Sequence, residues 1–173
     1  MIDKSASSLA KYLINNGSNV SNEILCYAIS NILNIVLVSV VSLTIGFITG
    51  TLIETLIALV AFAAIKHYSG GVHMASMDRC FVLSTIIITV PPHVVMTNKI
   101  VLIITLVSIV AYTLYAPNYT EQLVRPFNKR RNRLISIVIV GANLYLQSST
   151  LALIYFVQGL MIVPYSRKGE TKP

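Results

Sequence analysis

The sequence predicts an all-α polytopic membrane protein: about six transmembrane helices behind an N-terminal amphipathic helix. Three observations carry this. Hydrophobic residues make up 55% of the 173-residue chain and charged residues 11%, where a soluble domain carries roughly 25% charged. The mean hydropathy is +0.75. The apolar residues fall into runs long enough to cross, or nearly cross, a hydrocarbon layer that needs about 20 of them per helix. The net charge of +7 would suit a nucleic-acid binder, but too little polar surface remains for such a protein to stay in water, and no nucleic-acid partner is expected.

Each element follows in order. Residues 5–16 place Leu9, Tyr12, Leu13 and Ile14 near one helical face with Lys4 and Lys11 elsewhere, the pattern of a short helix lying on a membrane surface. The first span, 24–48, holds no charge. Gly50-Thr51 marks a tight turn, and the second span, 52–65, carries only Glu54 near its start. A polar, glycine-containing segment follows. The third span, 81–96, is kinked or ended early by Pro91-Pro92; the fourth is 100–115. After a long basic loop, 134–146 and 151–163 form a last hairpin around Gln147-Ser148-Ser149. The whole chain reads as a single membrane domain, with no short hydrophobic leader before the first span and no internal repeat of the kind transporters use.

Orientation follows from the cations. With the N-terminus inside, twelve of the thirteen Lys and Arg residues fall on the cytoplasmic side and Lys99 alone on the other. Both termini are then cytoplasmic.

Chemistry concentrates between spans two and three. The segment His67 to Cys80 holds two of the three histidines and one of the two cysteines. Two cysteines make no disulfide framework, and a reducing cytosol keeps Cys80 a thiol. Cys80 stands at the start of a helix, where unpaired amides and the helix dipole favour a thiolate, and Arg79 adds positive charge beside it. His73 could serve as its base. A continuous helix over 73–80 would separate the two by about 10.5 Å, too far for a hydrogen bond, so the segment must turn back; Gly70-Gly71 supplies permissive backbone. By spacing alone three readings stand: a Cys–His catalytic pair, a buried thiol with an interfacial histidine, and a metal site from His67, His73 and Cys80, whose intervals match no common zinc pattern.

Other residues read more simply. Asp78 either orients His73 or pairs with Arg79. Amides near Gly70, Gly71 and Cys80 could stabilise an oxyanion, and Ser69 and Ser76 could add hydrogen bonds. Cys26 reads as a small packed residue, His93 as a cap near the outer face, and Gly46 and Gly50 as a Gly-x3-Gly contact. The run Arg125-Pro126-Phe127-Asn128-Lys129-Arg130-Arg131-Asn132-Arg133 reads as a topology anchor on anionic lipid.

Gly-Gly-Val-His followed seven residues later by Cys at the start of a span resembles the accessory gene regulator protein B (AgrB) family, membrane-embedded cysteine endopeptidases of bacterial quorum sensing. The likeness covers nearly the whole chain: the amphipathic start, the spans, the His-x6-Cys loop after the second, and an Ala-Pro…Arg-Pro-Phe-Asn-Lys loop after the fourth. It implies His73 and Cys80 as the catalytic pair, with no metal and no cofactor. It also implies a bacterial cell-membrane location with the site at the cytoplasmic face. The implied substrate is an AgrD-like propeptide, cleaved through a thioester acyl-enzyme that a propeptide cysteine then converts to a thiolactone, or a serine to a lactone. Lys129, Arg130 and Arg131 would capture the acidic tail of that propeptide. A homodimer would give thin spans a partner. The competing function class is a small transporter or peptide exporter without peptidase activity.

Overall fold

The computed structural model describes residues 1–71, 76–119 and 128–163. Helices dominate them: α1 (Ile2–Asn15), α2 (Asn22–Ile48), α3 (Leu52–Ser69), α4 (Met77–Thr89), α5 (Asn98–Tyr115), α6 (Lys129–Gly141), α7 (Asn143–Leu146) and α8 (Ser149–Ile162). Two short strands, β1 (Gly70–Gly71) and β2 (Asn118–Tyr119), pair in parallel with Gly70 opposite Asn118. The predicted all-α class is the one the chain adopts.

Among the described residues three helices are long and apolar enough to cross a membrane, α2, α3 and α5, and α8 is a shorter apolar helix. The 27 residues of α2 span about 40 Å at 1.5 Å per residue. Burial within the helices is inverted relative to a soluble protein. On α2 the buried positions are Ser30, Asn34, Val38, Ser42 and Gly46, while Ile32, Ile35, Val36, Val40, Phe47 and Ile48 are exposed. On α5, Thr105, Ser108 and Tyr112 are buried with Val101, and Leu102, Ile103, Leu106, Val107 and Val110 face out. Water would penalise so large an apolar surface. In lipid there is no hydrophobic drive between helices, so small and polar residues line the contacts and branched ones face the tails. This is a membrane protein.

Helix ends depart from the apolar runs in a consistent direction. The second run ends at Ile65, yet α3 continues to Ser69, because Lys66 and His67 in its last turn suit the negative end of the helix dipole and the Lys66 ammonium lies 5.4 Å from the Phe62 ring centroid. α4 begins at Met77, four residues before the run, and stops before Pro91-Pro92, which form a single 3-10 turn to His93. α6 starts at Lys129, capped by the Asn128 side chain, which accepts from Arg131 N–H at 3.2 Å. The last hairpin's first arm is two helices, α6 and α7, meeting at Ala142.

The chain forms two compact units. The first holds α1, α2, the start of α3, α4 and the 3-10 turn. There α1 packs on α2 and α4, and α2 on α4. α1 buries Ile2, Ala6 and Ala10 at i, i+4 and i+8 and exposes Leu9, Tyr12 and Leu13, the apolar face read from the sequence. Gly50, at φ +72°, turns the chain from α2 into α3, and Gly46 meets Thr55 side by side. Of the Gly-x3-Gly spacing, Gly46 makes the contact and Gly50 the turn.

The second unit holds the rest of α3, both strands and α5 to α8. α5 packs on α8 and α6. Tyr112 is buried, and its hydroxyl donates to the Tyr155 carbonyl at 3.1 Å. Asn143, also buried, donates to Thr105 Oγ1 at 3.0 Å and to the Ser148 carbonyl at 3.2 Å, and accepts from Ser148 N–H at 3.0 Å. One side chain thus closes the α7–α8 turn onto α5.

Candidate functional site

The site is built on the first turn of α4. Ser76 is its N-cap, with extended backbone at φ −142° and ψ 148°, and its Oγ accepts from Arg79 N–H at 3.4 Å. Helical geometry therefore begins at Met77, and Ser76 interrupts any helix that would join residues 73 and 80. His73, with 72–75, lies outside the described residues. Cys80 is the fourth residue of the helix, its own N–H bonded to the Ser76 carbonyl at 3.2 Å. The thiol is buried, 5% exposed, and its Sγ stands 4.0 Å from Ser84 Oγ one turn along.

The same turn is tied to α1 by two carboxylates that cross over. Asp3, in the first turn of α1, accepts from Met77 N–H at 3.3 Å; Asp78, in the first turn of α4, accepts from Ile2 N–H at 2.9 Å and pairs with the Met1 ammonium. Each helix start is thus capped by an acid from the other. The Met1 ammonium, hydrogen-bonded to Asp78, and then the Ile2 amide hold its carboxyl below the ordinary carboxylate range. Asp78 does not pair with Arg79, as one sequence reading had it. Adjacent helical residues do not face each other, and the start of α1 supplies better donors.

Gly70 and Gly71 belong to the second unit. Both have left-handed backbone, φ +71° and +136°. The Gly70 carbonyl accepts from Gln158 Nε2 at 2.7 Å and from the Oγ of Ser69, itself buried, at 3.3 Å. The partner strand is held in turn, with Asn118 Nδ2 donating to the Ile162 carbonyl at 2.8 Å and Arg133 Nε to the Ala116 carbonyl at 2.7 Å. Sequence reasoning missed Gln158 and Asn118. The available signal for Gln158 was a lone amide inside the apolar run 151–163.

Lys129, Arg130 and Arg131 are exposed in the first turn of α6. Cations there oppose the helix dipole, so helix stability is not what places them. The preceding residues 120–127, with Arg125, Pro126 and Phe127, lie outside the described ones. His67 stacks edge-on against Tyr68, ring centroids 4.9 Å apart. Cys26 Sγ lies 3.6 Å from Asn22 Oδ1, and Glu54 and His93 are exposed. Among the described residues no three His, Cys, Asp or Glu side chains gather as a metal site.

Among protein-family models, that of accessory gene regulator B matches residues 4–164. No curated protein matches, and no solved structure does.

Proposed function

The chain belongs to the accessory gene regulator B family, which processes the propeptides of bacterial quorum sensing, and from that premise we propose that this protein is a membrane-embedded cysteine endopeptidase acting on an AgrD-like propeptide. The observation that carries the reading is a buried cysteine in the first turn of a helix, Cys80, set just beyond a helix break in a lipid-facing fold. A helix start is a placement that reactive cysteines share.

The Cys80 thiolate attacks the carbonyl carbon at the scissile bond, with His73 taking the thiol proton. The tetrahedral oxyanion collapses, the C–N bond breaks, and His73 returns the proton to the leaving amine. The C-terminal fragment departs and the N-terminal part remains as a thioester on Cys80. A propeptide cysteine thiolate then attacks the same carbonyl, closing a thiolactone and releasing Cys80. Exchange of one thioester for another is nearly isoenergetic, so hydrolysis must be slowed, and burial of the cysteine works against water. With Ser76 extended, His73 and Cys80 are not held apart by one continuous helix.

Lys129, Arg130 and Arg131 are assigned to the acidic tail of the propeptide. Three exposed cations on the start of α6 gain nothing from their own helix and present one ammonium and two guanidinium groups, beside the helix's amide dipoles, to an anion. With the cation asymmetry read as topology, both termini and the working face are cytoplasmic.

The test is co-expression with a propeptide, comparing wild type, Cys80→Ala and His73→Ala. Both variants should insert and neither should release the C-terminal fragment. Cleavage by both refutes the peptidase assignment.

A further inference from the structure

Gln158 lies in the last turns of α8 and is fully buried. Its Nε2 donates to the Gly70 carbonyl at 2.7 Å, across 88 residues of sequence. A carbonyl oxygen only accepts, so the amide orientation is set by chemistry: nitrogen toward Gly70. Oε1 then sits buried with no hydrogen-bond partner among the described residues. A methionine or leucine would fill the same space without burying that oxygen, so the amide is a poor choice for packing alone. Polar groups kept at such a cost inside membrane helices usually serve a function.

What the amide does is hold one atom. Two consecutive left-handed glycines can reach their conformation without strain, but nothing in glycine itself keeps them there. The pairing with β2 and the bond from Ser69 Oγ restrain them, and Gln158 adds the shortest bond to the Gly70 carbonyl. The fit is close on both sides, since a Cβ on Gly71 would stand 3.0 Å from Gln158 Nε2. The strand so held is the exit of α3, and His73 follows Gly71 by two positions in the sequence.

We propose that Gln158 is a positioning residue of the peptidase reaction: by donating to the Gly70 carbonyl it fixes the end of the described segment three residues before His73 in the sequence. This rests on the assignment of His73 and Cys80 made above. It does not touch substrate; it acts through Gly70 and Gly71, and removing its donor lowers turnover rather than substrate affinity.

The test uses the full chain in liposomes with a synthetic propeptide. Gln158→Met keeps the length and removes the donor; turnover falls tenfold or more, KM stays within twofold, and the thermal midpoint does not fall. Gln158→Glu supplies an internal rescue. A buried carboxyl stays protonated well above its ordinary range, and its O–H can donate to Gly70. The ratio of Gln158→Glu to wild-type turnover is then within threefold of one at pH 5.5 and drops at least tenfold by pH 8.5. The elements packed here carry Tyr155 on α8, Lys99, Tyr112 and Tyr115 on α5, Tyr119 on β2 and Lys66, His67 and Tyr68 at the end of α3; wild type carries all of them too, so the ratio to wild type reports the introduced carboxyl. Wild-type turnover in Gln158→Met overturns the proposal. So does a Gln158→Glu protein that matches Gln158→Met at every pH, which is the signature of a packing role. His73→Ala and Cys80→Ala run alongside: cleavage by both removes the underlying peptidase assignment, whereas inactivity of both with full turnover in Gln158→Met removes the positioning role alone.

Discussion

Gly46→Ala should loosen the α2–α3 hairpin by an amount that the geometry sets. A Cβ at Gly46 would stand 2.6 Å from Thr55 Oγ1 and 2.8 Å from Thr55 Cβ. Carbon atoms in ordinary contact sit about 3.5–4.0 Å apart. Rotating the Thr55 hydroxyl relieves the first clash but not the second, because Cβ is fixed to the backbone. The helices must therefore part by roughly 1 Å. They are joined by the short Gly50 turn, where Thr51 N–H bonds the Gly46 carbonyl at 2.8 Å, so parting strains the connection as well. Overpacking costs about 1–3 kcal/mol, and the upper end applies to contacts this short. Replacing glycine within a helix returns about 1 kcal/mol of propensity. The net loss is about 2 kcal/mol, or roughly 4–8 °C in thermal midpoint for a chain of this size. Thermal unfolding of the detergent-solubilised protein measures it. Gly141→Ala is the control, because a Cβ there meets nothing within 4 Å, and it should melt at or above wild type. A Gly46→Ala protein that does the same refutes the reasoning.

Three further outcomes are expected. Asn143→Leu removes three hydrogen bonds made by one buried side chain; at about 0.6 kcal/mol each in a membrane protein, the midpoint falls by roughly 4–8 °C, and an unchanged melt contradicts the network. Replacing Lys129, Arg130 and Arg131 together with Gln, after insertion is confirmed, slows cleavage at limiting propeptide and leaves the saturated rate near wild type; unchanged cleavage at limiting propeptide sinks the tail-binding role. Asp78 has its carboxyl held low by the Met1 ammonium and then the Ile2 amide, so the stability it adds is present above the ordinary carboxylate pKa of about 4 and is lost as pH falls through the lower folded value. Asp78→Asn therefore melts below wild type at pH 7, and the two converge as pH is taken well below 4; a difference that persists undiminished speaks against the α1–α4 clasp.

Hydropathy located the interiors of the helices and misjudged their ends, for a physical reason. The runs 24–48 and 100–115 lie inside α2 (Asn22–Ile48) and α5 (Asn98–Tyr115), because apolarity and helix are both demanded at membrane depth, where every backbone group must be satisfied internally. Helix ends answer to other forces. Ser76 and Asn128 accept amide protons at the starts of α4 and α6, so those helices reach into polar sequence that an apolar count discards. Both caps obey a rule visible from composition alone. The division of 134–146 at Ala142 was not visible, since it depends on Asn143 finding Thr105 and Ser148.

The site divides along the same line, between what is local and what is not. Cys80 at a helix start follows from local sequence, because an apolar run begins beside it and Ser76 supplies an N-cap four residues before it. Asp78 shows where local reasoning fails. Its neighbour in sequence is Arg79, yet its partners lie 76 and 77 residues away at the start of α1. Gln158 lies 88 residues from the carbonyl it holds, a pairing that no periodicity encodes. Gln158, buried in an apolar fold, must find a partner wherever the fold brings one, since leaving it dry costs more than any local preference can return; Asp78, partly exposed, answers instead to the unpaired amides at the start of α1. Scattered polar residues in a membrane span are therefore better read as demands for distant partners than as noise in the hydropathy, and each such residue points to a contact the helix pattern alone does not contain.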